Sequence, residues 1–109
     1  MPASFTIRVK ELISSVPSGK VTTYGAIALA AGNPRGARQV ARILHACSDR
    51  ERLPWHRVVN RLGKISLPRF SGYELQRQLL EEEGVCFDSG DTINLELFLW
   101  RMPLKSDRN

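Results

Sequence analysis

Cysteine is scarce in this sequence of 109 residues, aromatic residues make up only 7%, and long apolar runs are missing. The two cysteines, Cys47 and Cys86, are too few for a disulfide framework and lack the spacing of zinc ligands. We therefore expect two free thiols in a reducing compartment, and we expect neither a metal ion nor a cofactor. No apolar run reaches the length of a membrane-spanning helix.

The N-terminal residues 1–4 lack the basic start and apolar stretch of a signal peptide. The chain also lacks internal repeats, low-complexity segments and flexible linkers. We expect one monomeric domain over residues 1–109, with a frayed C-terminal tail at 101–109. The expected location is the cytoplasm of a bacterium or the nucleus of a eukaryote.

Positive charge is in excess. The net charge is +5 and the isoelectric point is about 9.8. A basic chain favours a polyanionic partner such as nucleic acid, although many basic proteins bind none. The placement of the charges along the chain therefore carries more information than their sum.

Apolar spacing predicts four helices, over residues 4–16, 24–31, 36–46 and 72–83. Ser4 and Thr23 are suitable N-caps for the first two. Leu75, Leu79 and Leu80 form the expected inner stripe of the fourth helix, and Gly84 ends it. The apolar segment 93–99 is expected to pack back onto these helices.

Arg35, Arg38 and Arg42 recur at spacings of three and four residues, so they project from one side of the third helix. Residues 58–59, a turn at 60–63 and residues 64–66 predict a strand, a turn and a second strand. Together these elements predict a mainly α fold with a small β-hairpin, a winged helix-turn-helix that binds DNA. A helical domain with a solvated arginine face fits the charge pattern equally well.

The segment Pro54-Trp55-His56-Arg57-Val58-Val59 is more specific. It resembles the active-site signature Pro-Cys-His-Arg-Val-Val of the C-terminal domain of O6-alkylguanine-DNA alkyltransferases. Residues 19–25, 31–40 and 79–85 resemble further segments of the same domain, in the same order. The resemblance covers about residues 4–87, and several ordered motifs are more specific than one.

Trp55 stands where the alkyltransferases have their reactive cysteine, and we expect no counterpart of their additional N-terminal domain. These two features resemble the alkyltransferase-like proteins. The resemblance implies a non-enzymatic protein that binds O6-alkylguanine in duplex DNA and flags it for nucleotide excision repair proteins. The chemistry agrees, because alkyl transfer needs a thiolate and an indole has no nucleophilic lone pair in reach.

For DNA binding, the resemblance implies that Arg38 is a finger that enters the base stack through the minor groove. Tyr24 would press on the phosphate beside the flipped nucleotide, and Thr23 would donate to a nearby phosphate. Arg35 and Arg42 complete the expected DNA contacts. The simpler alternatives are a surface arginine that contacts phosphate and a half-buried core tyrosine.

For the lesion pocket, the resemblance implies Tyr24 and Trp55 as walls, with His56 hydrogen-bonded inside. The segment Val58–Val59 would offer backbone groups to the guanine edge, and Arg69 would stack on the damaged base from a lid. Trp55 in a core without a ligand and Arg69 as a solvated loop charge are the alternatives.

Three further residues resemble structural positions of the family. Arg57 would brace the turn, Asn60 would open the wing turn, and Glu83 would pair with His56. Two other functions stay open at this point. They are an alkyltransferase that uses Cys47 or Cys86, and a winged-helix transcription regulator that is indifferent to alkylation.

Overall fold

The computed structural model describes residues 4–102. Its elements, in chain order, are α1 (Phe5–Ser15), β1 (Thr22–Thr23), α2 (Tyr24–Ala30), α3 (Ala37–Glu51), β2 (Val58–Val59), α4 (Tyr73–Glu82) and α5 (Leu95–Phe98). A single 3₁₀ turn, Trp55–Arg57, precedes β2. The predicted mainly helical fold with a small sheet is confirmed. The tail at 103–109 lies outside the described residues.

The first two helices begin at the predicted caps. The hydroxyl of Ser4 accepts a hydrogen bond from the backbone N–H of Ile7 at 3.1 Å. The hydroxyl of Thr23 accepts one from Ala26 at the same distance. Each bond satisfies a backbone donor that the first helical turn leaves free. Thr23 thereby fixes the start of α2, and with it the position of the adjacent Tyr24.

The turn between α2 and α3 brings the two helices of the helix-turn-helix together. A Cβ at Gly36 would lie 2.9 Å from the ring of Phe5 and 3.1 Å from the carbonyl oxygen of Asn33, so a larger residue would force a neighbour to move. α3 runs to Glu51, beyond the predicted end at residue 46. Its buried stripe continues through Leu44 to Cys47, which is therefore a buried helical residue although the predicted helix ended just before it.

The strand predicted at residues 64–66 is wrong. Val58 and Val59 pair in parallel with Thr22 and Thr23, and these two strands make up the sheet found in residues 4–102. After β2 the chain does not form a further strand, and the carbonyl of Gly63 accepts a backbone hydrogen bond from Ile93 at 2.8 Å. The pairing partner of β2 thus comes from the segment directly before α2.

The turn after β2 forms around Asn60, as predicted. Its side-chain oxygen accepts from the backbone N–H groups of Leu62 at 2.9 Å and Lys64 at 3.1 Å. Its own N–H donates to the carbonyl of Lys64. Such wrapping by an asparagine side chain stabilises a tight turn without a partner strand.

The core lies in two clusters on either side of β2. Val58 belongs to the cluster between α1, α2 and α3, and Val59 to the cluster under α4 and the C-terminal segment. Ile93 is buried as expected, whereas Leu97 is exposed. Within residues 4–102, no helix combines the length and apolar character needed to cross a membrane.

Of the stripe predicted for α4, Leu80 is buried and Leu79 is half-buried, but Leu75 is not. Leu75 is 53% exposed, and the buried residues are Tyr73, Gln76 and Leu80. The spacing of three and four residues is helical, but it includes a glutamine. A buried glutamine requires hydrogen-bond partners, which the 3₁₀ turn and β2 supply.

Candidate nucleic-acid interface

Three guanidinium groups project from the turn between α2 and α3 and from α3 itself. Arg35, Arg38 and Arg42 are all exposed, and none forms an ion pair within the described part of the chain. We call these three residues the basic face. Free guanidinium groups at this spacing suit the phosphates of a nucleic acid backbone.

A cavity of about 630 Å³ opens beside the basic face. One wall is the flank of α3, and the other is formed by α2, the 3₁₀ turn, the segment at 66–67 and α4. Its lining residues are Tyr24, Ala37, Arg38, Ala41, Leu44, His45, Ser48, Asp49, Trp55, Ser66, Leu67 and Gln76. The structure thus brings together Tyr24, Arg38 and Trp55, three of the residues expected to handle the flipped base.

Arg38 lies where the basic face meets the cavity. Ala37 and Ala41 flank it on α3, and both line the cavity. Small side chains beside a long cation let a helix approach another surface closely while the cation reaches forward. The geometry suits the insertion of Arg38 into a base stack.

Tyr24 closes the cavity from the first turn of α2. Burial raises the pKa of its phenol, and a hydrogen bond with the side chain of Ser66 opposes that shift. The phenol therefore stays protonated at neutral pH and can donate a hydrogen bond. The hydroxyl of Thr23 accepts from Ala26 and the residue is buried, so the contact of Thr23 with a phosphate stays a prediction.

Trp55 supplies the aromatic part of the opposite wall. Its ring meets that of His56 edge to face, with the centroids 6.0 Å apart. The side chain is half-buried, so one part of the indole packs on the core while another part faces the cavity. A flat indole of this kind offers apolar contact to a ligand.

The carboxylate of Glu83 fixes the segment 55–59 through several hydrogen bonds. Glu83 accepts from Nε2 of His56 at 2.8 Å, from the backbone N–H of Gly19 at 3.1 Å, and from two nitrogens of Arg57. Arg57 also donates to the carbonyl of Val16 at 2.9 Å. We call this segment with its carboxylate the anchored turn.

The electrostatics of the anchored turn follow from this network. Burial alone would raise the pKa of Glu83, but the hydrogen bonds from Arg57, His56 and the backbone of Gly19 lower it to about 2. The carboxylate is therefore ionised at neutral pH and balances the Arg57 guanidinium. The expected contact between His56 and Glu83 is present in the structure.

Four of the residues predicted for the pocket do not line the cavity. His56 turns to Glu83, while the side chains of Val58 and Val59 are fully buried in the core. Arg69 is exposed, pairs with Asp91 at 3.2 Å and stacks over the ring of Tyr73 at 4.5 Å. The lid position beside Tyr24 is taken instead by Ser66 and Leu67. The role of Arg69 on a bound base stays a prediction.

Sequence reasoning missed Gln76 and the polar end of α3. His45, Ser48 and Asp49 all line the cavity at helical spacing after Arg38, a signal the sequence carries. Gln76 carries no such signal, because a polar residue within a helix is not expected to be buried.

Neither cysteine lies on the cavity wall. Cys47 is buried on the core side of α3, and Cys86 is exposed beyond α4. Within residues 4–102, no three His, Cys, Asp or Glu side chains are grouped so that they could hold a metal ion. The described side chains of the cavity therefore provide shape, apolar area and hydrogen bonds.

Comparison with known proteins agrees with this geometry. The family model for the 6-O-methylguanine DNA methyltransferase DNA-binding domain matches residues 4–85. A DNA base-flipping protein of Escherichia coli is 46% identical over 99 residues, which cover 89% of this chain and 74% of that protein. Alkyltransferase-like protein 1 of Schizosaccharomyces pombe is 37% identical over 102 residues, which cover 89% of this chain and 94% of that protein.

Solved structures give the same result. The crystal structure of S. pombe Atl1 in complex with damaged DNA containing O6-carboxymethylguanine is similar with a TM-score of 0.77 and 38% identity. The match covers 90% of this chain and 95% of that one. The Mycobacterium tuberculosis OGT in complex with DNA is similar with a TM-score of 0.60 and 31% identity, over 76% of this chain and 51% of that one.

Proposed function

Because the chain belongs to the family of the 6-O-methylguanine DNA methyltransferase DNA-binding domain, we propose that it recognises O6-alkylguanine in duplex DNA without removing the alkyl group. α2 and α3 bind the duplex, and the damaged nucleotide rotates out of the stack into the cavity. Arg38 fills the space that the base leaves.

One observation carries this proposal. The cavity adjoins the basic face directly and combines Arg38 at its mouth with Trp55 on its wall. A sequence-reading helix-turn-helix protein needs the basic face but has no use for a base-sized cavity beside it. The names of the relatives, a base-flipping protein and an alkyltransferase-like protein, support the same reading.

The energetics favour a damaged base over an intact one. Flipping a nucleotide costs a few kcal/mol, and the cost is smaller for a base whose pairing is already weakened. Each alkyl carbon buried against Trp55 contributes about 0.8 kcal/mol. Both effects act in the same direction, so larger alkyl groups that fit the cavity bind more tightly than methyl.

The same residue prevents alkyl transfer. Transfer needs a thiolate aligned with the alkyl carbon, and the indole of Trp55 offers only an N–H donor. None of the described residues that line the cavity is a cysteine. Cys47 is buried on the other side of α3, away from the anchored turn.

The direct test is a fluorescence titration of one duplex sequence with guanine or O6-methylguanine at a single position, at fixed salt. We expect tighter binding of the alkylated duplex. Intact-protein mass spectrometry after incubation should show an unchanged mass. A gain of one methyl group would establish an alkyltransferase, and equal affinity in a sequence-selective pattern would establish a regulator.

We further propose that the bound protein presents the lesion to nucleotide excision repair proteins. A protein that holds a damaged base without changing it contributes to repair only when another protein removes the damage. The check is whether an excision repair protein co-purifies with this chain on O6-methylguanine duplex and is absent on the guanine duplex.

A further inference from the structure

Gln76 is a polar side chain buried at the back of the cavity. Its exposed fraction is 2%, yet it is one of the residues that line the cavity. Its amide nitrogen donates to the backbone carbonyls of His56 and Val58, both at 3.0 Å. These two bonds tie α4 to the anchored turn.

The two bonds also fix which way the amide points. Both partners are carbonyl oxygens, which only accept, so the nitrogen must face them and Oε1 must face the other way. Nε2 thereby uses both of its hydrogens. No donor within residues 4–102 is hydrogen-bonded to Oε1. Oε1 is also not one of the fully buried polar atoms that lack a partner, so it keeps some contact with solvent. It is therefore a fixed acceptor that is reached from the cavity.

This acceptor lies beside the indole wall. Trp55 and Gln76 line the same cavity, and Gln76 is bonded to the residue that follows Trp55. A substituent packed against Trp55 therefore lies in the same cavity as an oxygen that lacks a donor among the described residues. With a purely apolar substituent, that oxygen loses water and gains no partner, which is costly for a buried acceptor.

We propose that Gln76 is a specificity-determining residue that favours O6 substituents with a terminal hydrogen-bond donor, the hydroxyalkyl class, over apolar substituents of the same size. The hydroxyl hydrogen donates to Oε1, and the carbon chain lies against Trp55. This inference rests on the proposed function, because it concerns the substituent of a base already held in the cavity.

The test uses two duplexes that contain O6-(2-hydroxyethyl)guanine or O6-(2-fluoroethyl)guanine. Fluorine matches hydroxyl in size but cannot donate. We expect the unaltered protein to bind the hydroxyethyl duplex about 2- to 10-fold more tightly, the range of one neutral hydrogen bond. Equal affinity overturns the inference. If O6-methylguanine is still preferred over guanine, the proposed function survives that result.

Gln76→Met assigns the effect to the residue, because it keeps the length of the side chain and removes the acceptor. We expect the affinity ratio between the two duplexes to fall to about one. Gln78→Met is the matched control, since Gln78 is exposed on the same helix and its side chain bonds, among residues 4–102, to Glu82 alone. Its ratio should equal that of the unaltered protein. If Gln76→Met still binds the hydroxyethyl duplex more tightly than the fluoroethyl duplex, the inference is overturned.

If Gln76→Met does not fold, Asp49→Ala gives a second test. Among the described residues that line the cavity, Gln76 and Asp49 are the two that carry a side-chain amide or carboxyl acceptor. We expect Asp49→Ala to keep the hydroxyethyl preference. Loss of the preference in Asp49→Ala would assign it to the carboxylate and overturn the role of Gln76. Loss of all preference for alkylated DNA in the unaltered protein would instead defeat the proposed function.

Discussion

The basic face and the anchored turn border the same cavity, but they are held in opposite ways. The three arginines of the basic face are exposed and free of ion pairs among the described residues. In the anchored turn, Glu83 alone joins Gly19, His56 and Arg57. Free cations adapt to a partner, whereas a bonded turn keeps its shape. The difference indicates that one side supplies affinity for DNA and the other supplies the form of the pocket.

Substitution in the anchored turn should chiefly affect stability. Glu83→Ala leaves Arg57 without its carboxylate in a site where the two side chains are less than a fifth exposed. We expect a loss of about 3–5 kcal/mol in the free energy of unfolding. Urea unfolding measures it, with Glu82→Ala, an exposed neighbour, as the control that stays within about 0.5 kcal/mol. A small loss in Glu83→Ala would remove the contrast between the two sides.

Low pH should also lower the free energy of unfolding, because it protonates Glu83 in the anchored turn. The pKa of Glu83 is about 2 in the folded chain against an ordinary 4.5, so its ionised form is stabilised by folding. This contribution, about 3 kcal/mol, is fully present above pH 4.5 and is lost as the pH falls toward 2. Urea unfolding at several pH values should show a steep decline below pH 4.5 that Glu83→Gln lacks. A decline of equal steepness in both proteins would contradict the low pKa.

Substitution in the basic face should chiefly affect binding. Arg38→Ala removes the group that replaces the flipped base, and we expect a loss of about 2–4 kcal/mol in the free energy of binding to O6-methylguanine duplex. The free energy of unfolding should change by less than about 0.5 kcal/mol, because the side chain is exposed. Arg42→Ala is the control, with a smaller loss and a salt dependence reduced by about one ion. Equal losses in both variants would argue against a finger.

Tyr24 lines the same cavity as Arg38 of the basic face and Trp55 of the anchored turn, and we expect its substitution to have an intermediate effect on DNA binding. Tyr24→Ala removes a half-buried ring from the cavity wall, and we expect binding to weaken by about 1–3 kcal/mol. Tyr24→Phe keeps the ring and removes only the hydroxyl, so it separates contact by the ring from donation to a phosphate. Fluorescence titration of both variants on the same duplex measures the two contributions. Full affinity in Tyr24→Ala would exclude the residue from the site.

Arg69 should give the smallest effect. It pairs with Asp91 outside the cavity, so a lid role requires that it leave this partner when DNA binds. We expect Arg69→Ala to reduce the preference for O6-methylguanine over guanine about 2-fold, at the low end of a cation–π contact. Arg61→Ala, an exposed arginine in the turn after β2, is the control. An unchanged preference in Arg69→Ala would rule out the lid role.

Local chemistry made the helices and the basic face predictable from the sequence. Ser4 and Thr23 cap their helices by bonds within three residues, and Asn60 shapes its turn in the same local manner. Arg38 and Trp55 were assigned to one site through the resemblance of ordered motifs, and the structure places both on the cavity. These assignments needed no knowledge of distant contacts.

The errors arose where distant contacts decide the outcome. A strand of two residues has no periodicity from which to read its partner, so the pairing of Val58 with Thr22 could not be inferred. Gln76 is buried because two carbonyls from another segment satisfy its amide, a condition that only the folded chain reveals. Leu75, more apolar, stays exposed on the same helix.

The parallel pairing of β1 with β2 has a consequence for how the chain acquires its shape. It closes a loop that contains the whole of α2 and α3, and such closure is paid for in chain entropy before any contact rewards it. A peptide limited to α2 and α3 would carry every arginine of the basic face and still lack a receptacle for a base. Attraction to phosphate thus depends on a local part of the chain, whereas the pocket that distinguishes one purine from another depends on a long-range pairing.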